Sequence, residues 1–220
     1  MITFMWRRVR QVFRLIFIIF TRFEVEGLEH VASMDTPVIL IANHTSYLDP
    51  LALAASLPSS SQLIPVRFLA KKEIYDAGLS PFLSLTGTIF LDTNKPLKAL
   101  KTALAVLKEG NSIGIFPEGT RSITGELLPF KEGVDFLAKK SGAPVLPAVI
   151  LGTFKHGEGY VNGLKKILLF LSFRYRIKVV FAKPITGEIE SEFTKLYCAV
   201  LAVHENNKHN AGTKIGPRAS

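Results

Sequence analysis

The chain has 220 residues, enough for one sizeable α/β domain with its own core, and 48% of them are hydrophobic. A net charge of +9 favours anionic partners: nucleic acid, an anionic membrane surface or a phosphorylated substrate. The single cysteine, Cys198, excludes an internal disulfide and suits a reducing compartment, and the five scattered His residues form no zinc pattern.

Arg7, Arg8 and Arg10 precede an apolar run from Leu15 to Phe20. That run of six residues is shorter than the roughly 20 that span a bilayer and the roughly 7 to 15 of a signal-peptide core. No small-residue cleavage site follows, so neither a removed leader nor a transmembrane helix is expected. At about 100° per residue, Arg7, Arg8, Arg10, Gln11 and Arg14 fall on one side of a helix. Met5, Trp6, Val9, Val12, Phe13, Ile16, Phe17 and Phe20 fall on the other, while Phe4 and Leu15 break the pattern. This predicts an amphipathic membrane-associating helix over residues 1–22. The arginines would meet lipid phosphates, with Trp6 and the Phe rings at the acyl boundary.

Val38 to Ala42 reads as a short buried strand, and Pro50 opens a helix running to Leu57. A Pro-Ser loop follows at Pro58 to Ser61. Phe68 to Ala70 and Thr88 to Leu91 are apolar runs of strand length. Leucines at 97, 100, 104 and 107 predict a helix over Lys95 to Lys108, with Gly110 as its stop. Ser112 to Phe116 is a strand, Gly133 to Lys140 a helix and Pro144 to Leu151 a strand. Leu164 to Arg176 is apolar between basic residues, either a second lipid contact or a buried element. Tyr175 to Ala182 alternates as a strand, and Glu188 to His204 closes as a helix. Strands alternating with helices predict a layered α/β domain over residues 23–205, with a mixed, mostly parallel sheet flanked by helices. The polar stretch 206–220 reads as a disordered tail.

Two constellations carry chemistry. The first is Asn43-His44-Thr45-Ser46-Tyr47-Leu48-Asp49-Pro50, directly after a buried strand, where α/β sheets build their sites. Histidine exchanges a proton near neutral pH, and a carboxylate turned back onto it fixes the tautomer. On spacing alone the plainer readings lead: Asp49 as a helix N-cap and His44 as a satisfied polar residue. The second is Phe116-Pro117-Glu118-Gly119-Thr120-Arg121-Ser122, also after a strand. Gly119 allows a tight turn, Arg121 offers a planar fork that matches phosphate, and Thr120 and Ser122 add hydroxyls. Glu118 would accept from substrate hydroxyls or orient Arg121. The competing reading is a polar turn with a surface ion pair.

NHTSYLD followed by FPEGTRS resembles the glycerophospholipid acyltransferase family, in particular its 1-acylglycerol-3-phosphate acyltransferase branch. VEGLEH, GTIFLD and VLPAVI extend the likeness from about Val25 to Gly152. The resemblance implies His44 as base and Asp49 as its partner. It implies Glu118, Gly119, Thr120 and Arg121 at the acceptor's phosphate end, and Pro147 near the acyl donor or the site wall. The implied reaction moves a fatty acyl group from acyl-CoA or acyl-carrier protein to a lysophospholipid hydroxyl, giving phosphatidic acid, at the cytoplasmic face of the membrane. No metal or other cofactor is implied. Thr93 stands where the family often has an acceptor-binding arginine. Lys95, Arg121 or Lys131 would then supply the charge, or the acceptor carries another head group. A lipid or thioester hydrolase and an inactive membrane-binding scaffold are the rival readings. Nucleic-acid binding is set aside, because no P-loop, zinc finger or aromatic RNA-binding signature appears.

Overall fold

The structure, a computed structural model, describes residues 2–34, 37–71, 87–92, 95–154 and 175–212. Helix α1 (Ile2–Phe20) leads into strand β1 (Thr21–Glu26) and the short α2 (Leu28–Ala32). Next come β2 (Ile39–Ala42), α3 (Asp49–Ser56), β3 (Val66–Lys71), β4 (Ile89–Leu91) and α4 (Pro96–Lys108). The chain continues with β5 (Ser112–Ile115), α5 (Gly133–Ser141), β6 (Val145–Leu151), β7 (Tyr175–Phe181) and α6 (Ile189–Gly212).

Seven strands form one sheet in the order β1-β7-β6-β2-β5-β3-β4. All pairs are parallel except β6 with β7, so the sheet is mixed and mostly parallel as the sequence predicts. The centre is the aliphatic ILIA of β2, buried at every residue, as suits a strand covered on both faces. Alternation divides its side chains between two cores. Leu40 and Ala42 join Trp6, Phe17, Leu53 and Val179 beneath α1 and α3. Ile39 and Ile41 join Ala103, Leu137 and Phe193 beneath α4, α5 and α6.

The first helix ends at Phe20, two residues short of the expected 1–22, and turns a different face to the protein. Trp6, Arg10 and Phe17 are buried. Trp6 Nε1 donates to the Val66 carbonyl at 3.0 Å. Arg10 and Arg14 donate to the carbonyls of Leu57 and Ala55 at 2.6 and 3.0 Å. Those carbonyls lie at the C-terminal end of α3, where helix geometry leaves acceptors free and favours positive charge. Trp6 is therefore a core residue and these two arginines bind protein rather than lipid. Solvent instead meets Phe4, Val12, Leu15, Ile18 and Ile19, together with Arg7, Arg8 and Gln11. Phe4 and Leu15, the two misfits of the sequence pattern, sit in this outward stripe. No helix among the described residues is long and apolar enough to cross a membrane.

Other boundaries also shift. Strand β1 was not expected, since no turn residue separates it from α1; it pairs with β7 through Phe23 and Ile177. Helix α6 continues through the polar stretch to Gly212, where a disordered tail from residue 206 was expected. Extending a formed helix costs little, so polar residues need no core to continue it. The apolar segment from Leu164 lies outside the described residues up to 174, and its end, Arg176, belongs to β7.

The indole bond fixes α1 to β3, and Trp6→Phe removes its donor while keeping an aromatic ring. A buried carbonyl left unpaired costs about 1–3 kcal/mol. Urea unfolding of the Trp6→Phe protein should show a stability loss of about that size, with secondary structure unchanged by circular dichroism.

Candidate active site

Strands β2 and β5 run side by side, with Ile41 level with Ile115. Both chains leave the sheet at the same edge, the carboxyl ends of parallel strands. Carrying that register forward by three residues brings His44 beside Glu118. The contacts follow it: His44 N donates to Glu118 Oε1 at 2.6 Å, and Ser122 N donates to the His44 carbonyl at 2.8 Å. The two sequence constellations, more than seventy residues apart, thus form one site.

The turn after β2 closes on Asp49. His44 Nδ1 lies 2.9 Å from Asp49 Oδ2. The same oxygen accepts from Thr45 N at 2.6 Å and Ser46 N at 2.7 Å. Asp49 is completely buried, and the N-cap position of α3 belongs to Leu48, so the capping reading of Asp49 does not hold. Its carboxylate faces back along the chain to the residues before the helix. A carboxylate accepts, so a neutral imidazole in this pair carries its N–H on Nδ1 and leaves Nε2 as an acceptor. The His44 ring stacks on Phe116 with centroids 4.1 Å apart, and Phe68 stacks on the far side of Phe116.

Arg121 lies over the exposed Tyr47 ring, its guanidinium carbon 3.6 Å from the centroid. Stacking occupies the face of the guanidinium and leaves its in-plane N–H donors directed outward. Gly119 has φ 66°, a left-handed conformation that costs other residues about 1–2 kcal/mol. A Cβ there would stand 2.8 Å from Lys131 Cδ, so the Lys131 chain runs directly over this glycine. Lys131 N donates to the Pro117 carbonyl at 2.9 Å, which holds that approach. Thr120 is exposed on the same turn. Ser122 is buried, and its hydroxyl accepts from Gly125 N at 3.1 Å within the loop.

Glu118 differs from its sequence reading. It is 2% exposed, and its second oxygen accepts from Leu128 N at 3.0 Å. Its oxygens thus go to backbone N–H groups, with no ion pair to Arg121. Burial raises its pKa to about 7, against the lowering effect of the Leu128 and His44 N–H bonds; the charge on Asp49 adds to the rise.

Pro147 does not join the cluster. It is buried in β6 level with Ile41, about 10 Å below His44 at the ~3.3 Å rise of a strand. Lys95 lines a cleft of about 530 Å³ with Arg67, Asp92 and Lys98, apart from the His44 turn. Residues 93–94 lie outside the described residues. Sequence reasoning assigned no role to Asn43, Tyr47, Phe116 or Thr153. Asn43 clamps β6 at two points, accepting from Ile150 N at 2.7 Å and donating to the Ile150 carbonyl at 2.9 Å. Thr153, just past β6, meets the Thr45 hydroxyl at 3.1 Å. Among the described residues no cluster of three or more His, Cys, Asp or Glu suited to a metal is present.

A family model described as Acyltransferase matches residues 22–151, a span that contains every group of this site up to β6. The chain belongs to the acyltransferase family. A chloroplastic 1-acyl-sn-glycerol-3-phosphate acyltransferase of Brassica napus is 34% identical over 76% of this chain, which covers 46% of that relative. A probable 1-acyl-sn-glycerol-3-phosphate acyltransferase of Mycoplasma genitalium is 30% identical over 81% of this chain and 68% of its own length. The crystal structure of the 1-acyl-sn-glycerophosphate acyltransferase from Thermotoga maritima superposes with a TM-score of 0.64. At 24% identity, covering 98% of this chain and 81% of that one, it shares the fold. This chain spans about half the length of the Brassica relative.

The Asn43 clamp ties the start of the His44 turn to the next strand of this acyltransferase fold. Asn43→Ala leaves a buried N–H and a buried carbonyl without partners, at about 1–3 kcal/mol each. Thermal unfolding should show a clear drop in melting temperature, and loss of activity should accompany it at temperatures where the wild type is fully folded.

Proposed function

We propose that the chain transfers a fatty acyl group from acyl-CoA or acyl-carrier protein to the free hydroxyl of a lysophospholipid. The acceptor is 1-acyl-sn-glycerol-3-phosphate and the product phosphatidic acid. The observation that carries this reading is the His44–Asp49 pair at 2.9 Å, held on the same turn assembly as Arg121. The names of the relatives from Brassica napus and Mycoplasma genitalium agree with it.

In the proposed mechanism Nε2 of His44 takes the proton of the acceptor hydroxyl as its oxygen attacks the thioester carbonyl. Asp49 stabilises the imidazolium that forms. The tetrahedral intermediate then expels the thiolate, which recovers the proton from His44. The new C–O ester bond replaces the C–S bond, and no acyl-enzyme is needed. Arg121, stacked on Tyr47, presents its donors to the acceptor phosphate, with Thr120 and the ammonium of Lys131 beside the same Gly119 turn. With Thr93 in place of arginine, the positive charge of this turn takes on greater weight.

General-base catalysis contributes about 10²- to 10⁴-fold. His44→Ala should therefore lose about that factor in acyl transfer to lysophosphatidic acid at temperatures where circular dichroism shows it folded. Near-normal turnover in the variant would refute the mechanism. Omitting the lysolipid separates transferase from hydrolase, since a hydrolase would still release free acid at the full rate.

The membrane reading is revised by the burial of α1. The proposed contact with the cytoplasmic face of an anionic membrane uses the outward stripe of Phe4, Val12, Leu15, Ile18 and Ile19, with Arg7 and Arg8 toward the head groups. Burying a Leu or Ile side chain is worth about 1.5–3 kcal/mol. A Leu15→Asp, Ile19→Asp double variant should float with anionic liposomes at least about tenfold less than wild type. Unchanged flotation would remove α1 from membrane binding.

A further inference from the structure

We infer that Glu118 is a positioning residue: its carboxylate fixes the backbone of His44 against the loop at Leu128 and does not bind the acceptor. This rests on the acyl-transfer reading above. The residue is nearly inaccessible, and each of its oxygens already accepts a backbone N–H, from His44 at 2.6 Å and Leu128 at 3.0 Å. Neither donor belongs to its own turn. One side chain therefore joins the turn after β2, the turn after β5 and the stretch leading to α5.

His44 is consequently held at four points. Its N–H is held by Glu118 and its carbonyl by Ser122 N. Its Nδ1 is held by Asp49 and its ring face by Phe116. The backbone pair comes entirely from the 118–122 turn, which also carries Arg121. The distance between the base and the phosphate-binding arginine is thus set by Glu118 and Ser122 rather than by either motif alone. Two convergent N–H donors explain why a carboxylate stands here. A carboxylate accepts at both oxygens, whereas Gln would set an NH₂ against one of the donors.

The arrangement has a titratable consequence. Burial pushes the Glu118 carboxyl up to about 7, within the range where an imidazole titrates. Facing it are His44 and Asp49 from the β2–α3 turn, and Tyr197 on α6, whose hydroxyl is raised first by burial and then by the Glu118 charge; Lys131 lies over the neighbouring Gly119. A protonated carboxyl accepts well at one oxygen only, so acid releases one of the two braces. The working enzyme then requires two groups to be deprotonated, Glu118 and His44. On the acid limb, log(kcat/KM) should therefore rise with a slope near 2 rather than the slope of about 1 expected for one base.

The test compares the full-length wild type and Glu118→Gln with lysophosphatidic acid and acyl-CoA from pH 5 to 9. Melting curves select conditions where both are folded. Displacing a base by a fraction of an ångström costs about 10- to 100-fold, so kcat should fall by that factor while the acceptor KM stays within about twofold. The acid-limb slope should drop from near 2 to near 1. A raised acceptor KM with kcat retained would make Glu118 an acceptor ligand and overturn the inference. So would a kcat loss with the wild-type slope retained, or no change at all. A second measurement needs no activity: the Leu128 amide of the wild type should be protected from hydrogen exchange and should lose at least about tenfold of that protection in Glu118→Ala. Equal protection in the two proteins overturns the brace even in a protein that transfers no acyl group. In that protein a loss of protection would leave the brace standing while the acyl-transfer reading failed.

Discussion

The parallel pairing of β2 with β5 sets everything that happens at the sheet edge. Ile41 lies level with Ile115, so the residues leaving the two strands emerge at equal height and the His44 turn meets the 118–122 turn. A slip of one residue would invert every side chain and separate Glu118 from the His44 amide. The register is secured by burial on both faces: Leu40 and Ala42 in one core, Ile39 and Ile41 in the other. Neither pattern tolerates the wrong face, and the chemistry at the edge inherits that precision.

Two buried carboxylates stand behind the histidine, and they do different things. Asp49 gathers three donors on one oxygen, two of them backbone N–H groups, and thereby presents a fixed acceptor to the imidazole. Glu118 divides its two oxygens between two chain segments and acts on the backbone. Desolvation opposes both charges, and the backbone donors offset part of that cost.

Helix α1 illustrates how composition can misassign the outward face of a helix. An arginine stripe opposite an aromatic stripe suits a lipid interface. Yet Arg10 and Arg14 find better partners in the free carbonyls at the end of α3, and Trp6 finds one in β3. Those partners come from residues more than forty positions away, so no local pattern could have revealed them. What remains outward is the stripe containing Phe4 and Leu15, the residues that spoiled the simple wheel.

The sequence by itself determined most of the elements, though not β1 or α2, together with the α/β class and the two motifs, because short aliphatic runs, helical leucine spacing and turn residues act locally. It also placed His44, Asp49 and Arg121 among the site residues, through motif resemblance rather than spacing. Only the tertiary structure decided which partners those residues take. It made Asp49 a histidine partner instead of a helix cap, turned Glu118 to backbone N–H groups, left Pro147 buried within β6, and set Tyr47, Asn43 and Thr153 beside the site. Those outcomes depend on strand register and on contacts between residues far apart in the chain, which no local sequence pattern encodes.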